Sequence, residues 1–108
     1  MLKQRGYRIR QLNYRCSLGE IDIVAMDPAN RTLVIVEVKT AEARDARTAP
    51  EFRVGEAKQR KLAALAGHYA RRFAMTDRVI RFDVVAVDLS DAEESGVKHY
   101  EHAFESPY

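Results

Sequence analysis

Residues 21–39 read Ile21-Asp22-Ile23-Val24-Ala25-Met26-Asp27-Pro28-Ala29-Asn30-Arg31-Thr32-Leu33-Val34-Ile35-Val36-Glu37-Val38-Lys39. Two apolar runs, 21–26 and 32–38, flank a segment of turn formers, 27–31. The stretch is therefore expected to fold as an antiparallel hairpin with strands buried on both faces. Closed there, the hairpin sets Ala25 opposite Val34 and Asp22 opposite Glu37, a register that a slip of one residue would undo. Burying an unpaired carboxylate costs several kcal/mol, and two like charges about 5 Å apart across strands add to that cost.

A divalent cation reverses the sign of this pair. Mg²⁺ and Mn²⁺ take hard oxygen ligands, so Asp22 and Glu37, with the backbone carbonyl of Val38 and waters, form a candidate metal site. Lys39 follows Glu37 by two residues, so a strand's period places both on one face while Val38 points into the core. A bound metal acidifies water, and an adjacent ammonium stabilises charge developing on a phosphate under attack; Asp22, Glu37 and Lys39 then suit phosphodiester hydrolysis. By the same period Glu20 shares a face with Asp22, as a further ligand or an outer-sphere base. The plain alternative stays open: this spacing also arises by chance, with Lys39 merely neutralising Glu37.

Outward from the hairpin, Tyr7 and Ile9 alternate with Arg8 and Arg10, the period of a half-exposed strand over 6–14. The alternation slips at Gln11, so a bulge or a strand end is expected there. Beyond the hairpin, 42–53 is charged and broken by Pro50 and reads as a mobile loop. Lys58, Leu62, Leu65, Ala66, Tyr69 and Phe73 recur at steps of three and four, predicting an amphipathic helix over about 54–73. Residues 81–89 read as another buried strand, 90–96 as an acidic loop and 99–104 as a short final strand. The expected fold is thus α/β: a mixed central sheet with a βββαβ core and an edge strand, in one domain spanning 1–108.

With 108 residues, 46% apolar and 31% charged, the chain suits one globular domain and is too hydrophobic for a disordered one. No run approaches the roughly 18 apolar residues of a spanning helix, and the Arg-rich start lacks a secretory apolar core. A soluble cytoplasmic protein with no membrane partner is the expectation. Cys16 is the sole cysteine, which excludes an internal disulfide and a multi-cysteine zinc site. The net charge of +2 hides an asymmetry: residues 1–82 hold 17 basic and nine acidic side chains, and 83–108 hold one basic and seven acidic. Arg8, Arg10 and Arg15 precede the first acid, Glu20, and either face phosphates or form a solvated surface. Lys58 either snorkels along the helix or reaches toward the carboxylates. Asp83, after Arg81, reads as a structural ion pair, His68 as a helix-surface residue, and His99 and His102 as lying on opposite strand faces.

Asn13-Tyr14-Arg15, Gly19-Glu20-Ile21-Asp22-Ile23-Val24-Ala25 and Leu33-Val34-Ile35-Val36-Glu37-Val38-Lys39 resemble the YraN-like family of predicted endonucleases. The likeness continues through Val54, Lys58, Leu62, Ala66 and Tyr69, then Arg81-Phe82-Asp83-Val84-Val85, to the Ala-Phe ending of 99–104. It implies a restriction-endonuclease-like fold akin to archaeal Holliday-junction resolvases, with Asp22 and Glu37 as metal ligands and Lys39 as the catalytic lysine. It also implies Mg²⁺ or Mn²⁺ as cofactor, DNA as partner, branched or structured DNA included, and a homodimer by analogy with the resolvases. Members usually begin with a glutamate-bearing helix; here only Met1–Arg5 precedes Gly6-Tyr7, so the N-terminal helix is expected to be largely missing, with three alternatives open: the chain starts late, Glu20 substitutes, or activity is lost. Where the family often carries an arginine two residues past the lysine, this chain has Ala41, with Arg44 or Arg47 as compensating cations. Two rivals stand beside the nuclease: a non-catalytic nucleic-acid-binding module of the same fold, and an interaction domain assembling through its edge strand.

Overall fold

The computed structural model describes residues 2–29, 31–41, 54–88 and 96–105. A 3₁₀ turn at Lys3–Arg5 leads into β1 (Arg8–Cys16), β2 (Gly19–Asp27) and β3 (Thr32–Ala41); α1 (Glu56–Arg72) follows, then β4 (Ile80–Asp88) and β5 (Val97–Phe104). The strands form one five-stranded sheet in the order β1-β2-β3-β4-β5, antiparallel except for the β3–β4 pair. A parallel pair needs a crossover, and α1 supplies it. The elements are those expected from the sequence, with β1 and β3 running farther toward their C-terminal ends. The expected loop over 42–53, with Arg44, Arg47 and Pro50, and most of the acidic loop over 90–96 lie outside the described residues.

The hairpin register is as read: Asp27 pairs with Thr32, Ala25 with Val34 and Ile23 with Val36. The bulge foreseen near Gln11 lies between Ile9 and Gln11, with Arg10 as the extra residue. Period-two alternation divides the sheet into two cores. Leu33, Ile35 and Phe82 pack with Val24 against Leu62, Leu65 and Tyr69 of α1. On the opposite face Ala25, Val34, Val36 and Val85 pack with Leu2 and Tyr7. Full burial of a Leu, Ile or Val side chain contributes about 1.5–3 kcal/mol, so β3, fully buried over residues 33–36, anchors both cores.

α1 carries Glu56 in its first turn and Arg71 and Arg72 in its last, complementing the helix dipole. It stops at Ala74 in the left-handed conformation (φ 54°), where the Met75 N–H donates to the Ala70 carbonyl. Its early turns are seated on the β1–β2 turn. Gly19 has φ 141°, a conformation that side chains rarely adopt, and a Cβ there would also push aside the end of the Lys61 side chain, so the turn favours glycine.

Candidate active site

The carboxylates that interrupt β2 and β3 lie one step beyond the last paired row of the hairpin, and this step is irregular. Asp22 and Glu37 do not form a ladder pair; instead Asp22 Oδ2 accepts the Val38 backbone N–H at 2.8 Å. The β1–β2 rows also skip this level, where Asn13 takes φ 53°. Ile21 joins the helix-side core and Ile23 the opposite one, so the alternation of β2 breaks at Asp22. The strict period that put Glu20 on Asp22's face therefore does not hold across this point. Val38 also differs from expectation: it is half-buried at the open end of the sheet, not in the core.

Glu37 is 8% exposed. Burial, then the neighbouring Asp22 charge, push its carboxyl above the usual carboxylate range, and Glu20 adds to the push, while Lys58 and Lys39 oppose it. Lys58 Nζ stands 3.9 Å from Glu37 Oε2, so of the two readings of Lys58 it is the reach toward the carboxylates that the helix delivers. Lys58 also takes the ion-pair position that the plain reading gave to Lys39. Lys39 itself is half-buried beside the pair. An acid that is costly to ionise, next to a second acid and two ammonium groups, is the electrostatic setting of a cation or phosphate site.

The donor set suits a small hard cation. Asp22 and Glu37 offer carboxylate oxygens, and Mg²⁺ is commonly held by one or two carboxylates, with water and substrate oxygens completing its shell. Among the described residues no group of three or more His, Cys, Asp or Glu side chains is assembled, so Glu20 does not complete a three-acid cage. Glu20 Oε2 instead lies 3.4 Å from Arg15 Nε, which gives Arg15 a carboxylate partner. Arg8 is exposed. Arg10 donates from Nε to the Tyr69 hydroxyl at 3.1 Å, its guanidinium 6.0 Å from the ring centre. Arg44 and Arg47 lie outside the described residues.

A second acidic cluster, on the opposite face, was legible only as the Arg81–Asp83 pair. Asp83 accepts from Arg81 Nε and Nη2, each at 2.8 Å, from the His102 backbone N–H at 3.0 Å and from His99 Nε2 at 2.7 Å. Arg5 Nη1 is 3.0 Å from His99 Nδ1; arginine only donates, so Nδ1 accepts and the ring proton sits on Nε2, toward Asp83. Arg81 further reaches Asp27 and the Tyr7 hydroxyl, which donates to Glu101. Burial alone would raise the Asp83 carboxyl, but the Arg81, His102 and His99 hydrogen bonds and the Arg81 charge outweigh it and hold it below its ordinary value. Hydrogen bonding to Asp83 in turn holds Arg81 above the usual arginine range. The cluster requires the register shift that β5 makes opposite Asp83, with His102 at φ 52°, and no sequence pattern announces it. His99 is thus buried while the His102 side chain is exposed. His68 is no plain surface residue: half-buried, it shares a 3.0 Å hydrogen bond with the buried Tyr14 hydroxyl.

Among the described residues no helix is long and apolar enough to cross a membrane. The chain matches the model of uncharacterised protein family UPF0102 over residues 1–87. It is 42% identical over 107 residues to a UPF0102 protein of Pelobacter propionicus, covering 99% of this chain and 76% of the relative. A Geobacter sulfurreducens UPF0102 protein is 40% identical over 111 residues, covering 99% of this chain and 81% of its own length. One from Porphyromonas gingivalis is 42% identical over 104 residues, covering 95% and 74%. The chain whose described residues form a five-stranded mixed sheet with a crossover helix, with Asp22, Glu37 and Lys39 on β2 and β3, belongs to the uncharacterised protein family UPF0102.

Proposed function

We propose that the domain is a restriction-endonuclease-like, Mg²⁺- or Mn²⁺-dependent nuclease that hydrolyses DNA phosphodiester bonds, on branched or otherwise structured DNA, at Asp22, Glu37 and Lys39. The observation that carries this reading is the buried Glu37 carboxyl, driven toward its protonated form by burial and by Asp22, with Lys39 and Lys58 alongside. A buried acid so costly to ionise, beside a second carboxylate, is compensated when a divalent cation and a phosphate share the site. When bound, the metal supplies charge neutralisation and Lewis-acid polarisation of a phosphoryl oxygen.

Asp22, oriented by the Val38 N–H, and Glu37 are its protein ligands. The Lys39 ammonium stabilises the negative charge that grows on the phosphate under attack, and Lys58 opposes the upward push that burial and Asp22 put on the Glu37 carboxyl. The homodimer and the cytoplasmic setting belong to the same reading. Nicked, branched and single-stranded DNA incubated with the protein in Mg²⁺ or Mn²⁺ should be cut, and Glu37→Ala and Lys39→Ala should each abolish cutting. Cleavage that survives either substitution would sink the assignment.

The binding-module reading draws on one observation, the two-acid rather than three-acid cluster among the described residues. It predicts salt-dependent DNA binding together with a thermal midpoint that neither Mg²⁺ nor Mn²⁺ moves.

A further inference from the structure

Four arginines from separate parts of the chain meet at the other end of the β2–β3 pair. Arg8, Arg10, Arg31 and Arg78, with Met26 and Met75 beneath them, line a groove of about 390 Å³. Like-charged guanidinium groups gathered in one concavity repel one another unless an anion lies among them. The only acid among the described residues lining the groove, Asp27, is already engaged: Oδ1 accepts the Ala29 N–H at 3.0 Å, and Oδ2 lies 3.2 Å from Arg81 Nη1, outside the groove lining.

Arg8 and Arg31 have no side-chain hydrogen bond or ion pair among the described residues. Arg78 Nε is buried without a hydrogen-bond partner, its nearest carboxylate being that of exposed Asp77 at 3.9 Å. A buried unmade hydrogen bond is costly, and the long contact with exposed Asp77 does not make it, so this Nε–H is left without an acceptor. Arg31 stands in the left-handed conformation (φ 57°) at the end of the hairpin loop, where its N–H donates to the Asp27 carbonyl at 2.8 Å. The turn thus fixes the position from which Arg31 enters the groove.

We propose that this groove is a phosphate-binding subsite that anchors a nucleic-acid backbone at a distance from the carboxylate pair. The proposal rests on the nuclease reading and extends it to substrate length. Asp27 and Thr32 lie five residues from Asp22 and Glu37 along their strands, which is about 17 Å at the rise of an extended chain. At about 3.4 Å of axial rise per phosphate on each strand, that separation corresponds to about five base pairs. The protein therefore grips duplex on one side of the bond it cuts, and α1 joins the two positions, with Lys58 beside Glu37 and Tyr69 beside Arg10. Guanidinium forks match phosphate oxygens in pairs, which favours arginine over lysine in such a cradle.

The test is fluorescence anisotropy with a labelled duplex of about 20 base pairs, in EDTA so that cutting plays no part, across a salt series. The Arg31→Ala/Arg78→Ala protein should bind about 10-fold more weakly, with a salt slope shallower by about 2. Arg8→Ala/Arg31→Ala, two exposed positions, should do the same and guards against a folding defect at Arg78. Lys98→Ala, which removes one charge at an exposed position of β5, should leave affinity and slope unchanged. Unaltered affinity and slope in both double variants, a loss for Lys98→Ala as large as theirs, or displacement of the duplex by polyglutamate as readily as by unlabelled DNA would each overturn the subsite. Cleavage lost in Glu37→Ala with normal binding by the arginine variants removes the groove alone. Groove-dependent binding by a protein that never cuts leaves the subsite standing and removes the nuclease.

Discussion

Asp83 and Glu37 are both acids on interior strands of one sheet, nearly equal in burial, yet their surroundings push them in opposite directions. Asp83 faces away from the helix and receives four hydrogen bonds, two from one guanidinium. Glu37 faces the helix beside another carboxylate, with one ion pair at 3.9 Å. Burial alone therefore does not mark a functional acid. A satisfied acid ties β2, β4 and β5 together through Arg81, and Tyr7 joins the segment before β1 to them; an under-compensated one leaves attraction over for something outside the chain.

The largest expected effect is on the satisfied side. Asp83→Ala strands Arg81 and His99 in a buried position and should lower unfolding free energy by about 3–5 kcal/mol in urea titration. Because the folded-state pKa of Asp83 lies below its unfolded value, its stabilisation is complete above about pH 4 and is lost as pH falls through the folded value. The wild-type and Asp83→Ala stabilities should therefore converge in acid; a gap independent of pH would break the contrast between the two acids.

Metal comes next. Saturating Mg²⁺ or Mn²⁺ should stabilise the wild type by about 2.7 kcal/mol at a hundredfold excess over Kd, and leave the Glu37→Gln protein unmoved in calorimetry. Smaller, and of opposite sign to Asp83→Ala, Glu37→Gln without metal should stabilise the fold at neutral pH by about 1 kcal/mol. Glu37 has a raised folded pKa, so its contribution is favourable below its unfolded value and is lost as pH rises through the folded one. The advantage of Glu37→Gln should accordingly grow with pH, and a loss of stability at pH 7 would place Glu37 among the structural acids. The smallest effect belongs to Lys58→Met: it should raise the Glu37 pKa further, as read by carboxyl NMR, while changing stability by no more than about 1 kcal/mol, because Lys58 is 39% exposed at its side chain.

The candidate site was partly visible in the residue order. Asp22, Glu37 and Lys39 stand out because acids and a lysine interrupt runs otherwise built for burial, and Lys58 because it sits in an apolar helical stripe. Glu20 acts on Glu37 through its charge, but its place on Asp22's face does not follow from period two, which assumes an unbroken strand, and Asn13 breaks it at that level. The Asp83 cluster was legible only as the Arg81–Asp83 pair, and the arginine groove only as the cations Arg8 and Arg10, for another reason. Each joins residues from distant segments, Arg5 with His99 and Arg8 with Arg78, and local pattern carries no information about such meetings.

Sequence by itself determined the hairpin register, the element order and the helix, because each depends on periodicity and turn chemistry within a few residues. Only the tertiary structure decided which buried acid is satisfied. The hydrogen bonds that quiet Asp83 come from Arg81 and from His99 and His102 on β5, and the ammonium that meets Glu37 arrives from a helix about 20 positions downstream.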